Sequence, residues 1–125
     1  MNELQILMND ISEWSDSTFG DVQRNPAIVY HLKKEVDELI ESLHKSNSLR
    51  LDNSIGVDEF NRQTDKVEME FADCFMLLLD SARHFGLTAE QLIELTKEKL
   101  SINKARKWGK PDANGVVEHI NETDS

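Results

Sequence analysis

Two pairs of acidic residues stand at a spacing that can gather oxygen ligands. Glu35 and Glu38 are three residues apart, and so are Glu70 and Asp73; on a helix, positions i and i+3 share a face. Carboxylates converging on one point suit Mg²⁺ or Mn²⁺, hard cations that prefer oxygen and retain several waters. Spacing alone selects nothing in a chain with 24 acidic residues, so the surroundings must decide. Asp73 is the single charged residue in the stretch 71–79, which otherwise reads as buried core. An unpaired buried carboxylate is costly, and protonation, a basic partner or a metal ion could each neutralise it. Arg83 lies nearly three helical turns away, which favours the metal. His31, Glu35, Glu38 and Ser42 form a matching line on the preceding helix, beside the apolar stripe Leu32, Val36, Leu39 and Leu43.

A di-iron reading of Glu41-x-x-His44 fails for want of a second copy, since such bundles need the motif on two helices. The basic residues are more suggestive. Residues 97–110 hold Lys97, Lys99, Lys104, Arg106, Lys107 and Lys110 of the 14 basic residues in the chain. Positive charge near a helix C-terminus complements the macrodipole and accounts for part of this. Lys99, Asn103 and Arg106 also fall at i, i+4 and i+7, a row of ammonium, amide and guanidinium donors fit to cradle phosphates. A metal site beside a phosphate cradle is the equipment of metal-assisted attack on a nucleotide phosphate.

Four helices would position these groups. Leu4, Leu7, Ile11 and Trp14 mark a first helix ending near Ser15, followed by a loop over 16–24. Asn25-Pro26 reads as an N-cap and first helical position, opening a second helix to about Lys45. Residues 46–64 are polar and read as a long connection, with one short helical turn at 57–60. A third helix is expected over 65–85 with Gly86 as its C-cap. Thr88 with Gln91 makes a capping box for a fourth helix to about Trp108. No convincing strand is present, so the fold class is an all-α, four-helix-bundle-like domain over 1–110 completed by dimerisation. Residues 111–125 form a turn and tail.

Composition narrows the field further. With 125 residues and a formal net charge of −10, the chain fits one domain and does not suit a nucleic acid polymer, which is held through a basic surface. No apolar run approaches a membrane span, and no signal segment opens the chain. Cys74 is the single cysteine, so no internal disulfide forms, as in a reducing cytoplasm.

Together, Glu35-x-x-Glu38, Glu70-x-x-Asp73 and Lys99-x-x-x-Asn103-x-x-Arg106-x-Trp108 resemble the MazG-like all-α nucleoside triphosphate pyrophosphohydrolases. The segment Trp14-Ser15-Asp16-Ser17-Thr18-Phe19-Gly20 and His31-Leu32-x-Lys34-Glu35 are similar to the dATP/dGTP pyrophosphohydrolase branch, which includes MazZ-like phage enzymes. The stretch between Glu38 and Glu70 is longer than is common in the superfamily, and reads as an insertion at the hairpin tip.

The resemblance implies hydrolysis of a purine dNTP (dGTP or dATP) to dNMP and pyrophosphate in a bacterial or phage-infected cytoplasm. It implies two or three Mg²⁺ or Mn²⁺ ions on Glu35, Glu38, Glu70 and Asp73, and a catalytic role for Glu35 and Glu38, with Glu38 as the proton acceptor. Lys99, Asn103 and Arg106 would hold phosphates, and Trp14, Phe19 and His31 would meet the nucleoside. Trp14 also completes the first apolar stripe, so packing accounts for it at least as well, and a solvated histidine accounts for His31 somewhat better. The expected assembly is a homodimer or homotetramer. The alternatives are a related pyrophosphohydrolase acting on a pyrimidine or modified nucleotide, or a non-catalytic helical adaptor.

Overall fold

A computed structural model describes residues 2–120. The chain is all-α: α1 (Glu3–Phe19), α2 (Ala27–Arg50), α3 (Val57–Phe85) and α4 (Ala89–Ala105) are followed by a two-residue strand pair, β1 (Lys107–Trp108) with β2 (His119–Ile120). It divides into two compact units, Met1–Thr88 and Ala89–Ser125.

In the first unit α2 and α3 form an antiparallel hairpin. With 24 and 29 residues, they are about 36 and 43 Å long at 1.5 Å per residue. Only residues 51–56 connect them, so the expected long connection over 46–64 is not a loop. Its flanks extend both helices. The apolar period is hidden there because inward positions are polar: Gln63 is buried and donates from Nε2 to the Ser42 carbonyl at 3.0 Å, and Thr64 bonds back to the Phe60 carbonyl. The same effect moves the end of α1 from the expected Ser15 to Phe19. Ser15 is 1% exposed and Asp16 turns toward arginines, so the helix continues inward on polar side chains.

Glycine ends two of these helices. Gly86 closes α3 at φ 103°, with its N–H on the Arg83 carbonyl and the Leu87 N–H on that of Ala82. Gly20 closes α1 at φ 102°. Side chains other than glycine rarely adopt either conformation. Asn25 does not cap α2, which starts at Ala27. Its side-chain amide donates to the Ser81 carbonyl and accepts from the Ser81 hydroxyl, fastening the start of α2 to α3.

The hydrophobic core of this unit is small: Met8, Ile11, Ile28 and Leu79. A charge lattice supplements it. Buried Asp80 accepts from Ser15 Oγ at 2.7 Å and pairs with Arg83 at 2.5 Å and Arg24 at 3.7 Å. Asp16 binds both arginines, at 3.0 and 3.1 Å, and the Arg24 guanidinium lies over the Phe19 ring. α1, the 20–26 loop and the end of α3 are thereby locked together.

The expectation that 71–79 is buried does not hold. Phe71, Phe75 and Leu78 are about half exposed, and Asp73 is exposed. α3 carries apolar residues around much of its circumference, and α1 and α2 cover one side of it. No helix among the described residues is long and apolar enough to cross a membrane.

In the second unit α4 stops at Ala105, short of the expected Trp108. Trp108 enters β1 instead, opposite His119, and its indole N–H donates to the Asn103 carbonyl at 3.0 Å. The tail thus includes a short antiparallel pair; its last five residues, 121–125, lie outside the described ones.

The charge lattice has a measurable pH signature. Partial burial opposes ionisation of Asp16, but Arg83 and then Arg24 hold its carboxyl below the ordinary range. A depressed folded-state pKa contributes stability above the unfolded value near ~3.9, lost as pH falls through the lower folded value. Arg83→Met is expected to cost about 3 kcal/mol at pH 7, as for a broken buried pair. In urea titrations its deficit against wild type should narrow below pH ~4.

Candidate functional site

The α2–α3 hairpin sets the site. Because the helices run antiparallel, Ser42 stands opposite Glu70, and the Ser42 hydroxyl donates to Glu70 Oε1 at 3.1 Å. Glu70 is 7% exposed, Glu35 half-buried and Glu38 exposed. Ligand oxygens of Glu35, Glu38 and Glu70 lie within 4.8 Å of one another. Asp73, one turn on from Glu70, is not part of this group and lines the neighbouring cavity beside Glu35. The buried acid that adjoins the apolar stretch of α3 is Asp80, and it is paired with arginines.

Three carboxylates this close repel one another. The side chain of Glu35 and then its charge push the Glu38 carboxyl above its ordinary pKa. Burial and Glu70 add to the rise, and Lys66 opposes it. His31 Nε2 sits 3.3 Å from Glu35 Oε1. The Cys74 thiol is pushed up by burial and then by the charges of Glu35, Asp73 and Glu70. An all-oxygen donor set with uncompensated negative charge fits Mg²⁺ or Mn²⁺ by its chemistry.

Beside the cluster opens a cavity of about 690 Å³, within the range of small-ligand sites. Trp14, Phe19, Ile28, Met76 and Leu77 give it an apolar wall, while Glu35 and Asp73 bring carboxylates to it. Trp14 and Phe19 meet edge to face at 5.5 Å. Trp14 is 53% exposed, so it faces this cavity more than the core. His31 also lines it.

Sequence reasoning missed Ser15, Arg24, Asn25 and Asp80, which line the same cavity. The available signal was Asp80-x-x-Arg83 beside three leucines, an acid and a base one helical turn apart. Lys99, Asn103 and Arg106 lie on or just after α4, in the second unit, where Asn103 Oδ1 accepts weakly from Arg106 at 3.4 Å. Lys34 is exposed on α2.

The chain is thus a helical protein with clustered carboxylates beside an aromatic-walled cavity. The dATP/dGTP pyrophosphohydrolase family matches residues 59–125, more than half of the chain, and the chain belongs to that family. The match takes in Glu70, Asp73 and the α4 row, while Glu35 and Glu38 precede it. The dATP/dGTP diphosphohydrolase of Cyanophage S-2L is 39% identical over 57 residues, 46% of this chain and 50% of that protein. The chain thus spans about half the length of this relative. No solved structure matches.

The cluster makes opposite demands with and without cations. Removing one of three crowded charges should leave the melting temperature of cation-free Glu38→Gln unchanged or raised. The same variant should bind Mn²⁺ more weakly by over about tenfold by calorimetry, the loss seen on removing even a ligand's outer hydrogen-bond partner. It should also lose most of the Mn²⁺-induced rise in melting temperature.

Proposed function

We propose that this protein hydrolyses purine deoxynucleoside triphosphates between the α- and β-phosphates, giving dNMP and pyrophosphate. One observation carries the reading: Glu35 belongs both to the three-carboxylate cluster and to the wall of the aromatic cavity. A base packed against Trp14 and Phe19 places its phosphates at the carboxylates. Family membership supports the substrate class, and the relative's name points to the same pair of nucleotides.

Divalent cations held by Glu35, Glu38 and Glu70, with Asp73 one turn on, would offset phosphate charge and lower the pKa of the attacking water. Glu38 accepts the water proton as oxygen bonds to the α-phosphorus. The bond to the bridging oxygen breaks, and that oxygen leaves on pyrophosphate. Neighbouring Glu35 raises the proton affinity of Glu38, which supports that role. His31 lies beside Glu35, and the apolar wall excludes water from the base end. By resemblance, Lys99, Asn103 and Arg106 are proposed as phosphate-binding residues.

The assembly is proposed to be a homo-oligomer. Val36, Ile40 and Leu43 on α2 and Phe71, Phe75 and Leu78 on α3 are left exposed, more apolar side chain than a stable monomer usually shows. A second copy of the same hairpin offers the matching surface by two-fold symmetry.

Purified protein given each dNTP with Mg²⁺ or Mn²⁺ should release pyrophosphate, with dGTP and dATP ahead in kcat/KM. Glu38→Gln and Asp73→Asn should lower kcat by at least about a hundredfold, the lower range for general-base loss. Orthophosphate release without pyrophosphate would overturn the bond assignment, and no release from any dNTP would return the protein to the adaptor class. In light scattering, wild type should exceed the monomer mass of 14.3 kDa, and Phe75→Glu with Leu78→Glu should reduce the assembly to monomers.

A further inference from the structure

The hairpin carries a second cavity, about 360 Å³ in volume and lined by Glu38, Glu41, Ser42, Lys45, Lys66 and Glu70. It shares no lining residue with the aromatic cavity. The carboxylate cluster links the two: Glu35 lines the first, Glu38 and Glu70 the second. Along α2 the order is His31, Glu35, Glu38, Ser42, Lys45. Along α3, running the other way, it is Leu77, Asp73, Glu70, Lys66. The sequence of environments is therefore aromatic, anionic, then a mixed one in which Lys45 and Lys66 stand among Glu38, Glu41 and Glu70.

No aromatic or aliphatic side chain lines the second cavity, so a base does not suit it. Its two lysines are not spent on neighbours. Glu41 and Lys45 are four apart, as are Lys66 and Glu70, a spacing at which ion pairs form readily. Yet among the described residues neither ammonium has a carboxylate within the 4.0 Å of an ion pair. Both remain available to an anion.

We propose that this cavity receives the β- and γ-phosphates and then the leaving pyrophosphate, held by Lys45 and Lys66. The proposal rests on the α,β-cleavage reading and deepens it by assigning the leaving-group end. Lys45 is two helical turns beyond Glu38, about 10 Å at 1.5 Å per residue, and flexible lysine side chains reach back as mobile point charges. As the bridging P–O bond breaks, negative charge accumulates on pyrophosphate, and the two ammonium groups lie where it develops. Lys45 and Lys66 thus place a pair of cationic groups on the hairpin itself.

The test uses the full chain with Lys45→Met, Lys66→Met and the double variant, folding being checked by circular dichroism and melting temperature. Pyrophosphate binding in the presence of Mn²⁺ is read by calorimetry, and dNMP and Mn²⁺ alone are titrated in parallel. Each single variant should weaken Mn²⁺–pyrophosphate binding about tenfold, as for loss of a charged hydrogen bond. Binding of dNMP and of Mn²⁺ alone should be little changed, and Lys→Arg should restore much of the loss. In turnover, kcat should fall and product inhibition by pyrophosphate should weaken. A double variant that binds Mn²⁺–pyrophosphate as wild type does, while remaining folded, overturns the proposal. Wild-type hydrolysis with unaffected lysine variants would sink this inference alone. Lysine-dependent pyrophosphate binding without dNTP hydrolysis would uphold the polyphosphate site and sink the hydrolase reading.

Discussion

Three carboxylates converge between α2 and α3, and much of the hairpin's construction follows from holding them there. Their mutual repulsion works against the fold that gathers them. Glu70 is nearly buried, and Ser42 supplies it with one hydroxyl hydrogen bond. Gln63 in turn fixes the Ser42 backbone through its carbonyl. These are neutral donors, and they position the cluster without cancelling its charge. An arginine in the same place would cancel that charge, as Arg83 does for Asp80.

The far end of the hairpin solves the opposite problem. Asp80 is as buried as Glu70, but Arg83 and Arg24 pair with it and Asp16 completes a lattice of balanced charge. A buried carboxylate deprived of such partners is strongly destabilising. Two buried acids on one helix, less than three turns apart, therefore have different fates. One is closed off by guanidinium groups and holds α1 and the 20–26 loop in place. The other has a hydroxyl donor, pairs with no arginine among the described residues, and stands in the carboxylate cluster. The aromatic cavity lies between these ends, so the rigid end fixes its Phe19 and Asn25 wall while the open end supplies its anionic rim.

The sequence carried the helical class, the carboxylate spacing and the glycine stop at Gly86, because each is a local signal. It also carried the line His31, Glu35, Glu38 and Ser42, since a helix brings these onto one side whatever its partner. It misled wherever inward positions are polar. Ser15, Gln63 and Thr64 interrupt the apolar period, and so α1 reads as too short and the α2–α3 connection as too long. Asp73 was singled out for standing among apolar neighbours. That inference assumed they were buried, and several of them face outward. The pairing of Asp80 with Arg24 was out of reach, because it depends on where the 20–26 loop folds back.

An outward-facing apolar surface on α2 and α3 has a cause in the site itself. To bring Glu35, Glu38 and Glu70 together, the helices devote inward positions to carboxylates, Ser42 and Gln63, which bury no hydrocarbon. The hydrophobic positions that remain fall partly on other faces, where α1 is too short to cover them. Covering the outer face with a second copy, as proposed above, adds hydrophobic burial without occupying the inner one. On that reading self-association follows from placing a charged site in the seam where a hairpin of this size would ordinarily keep its core.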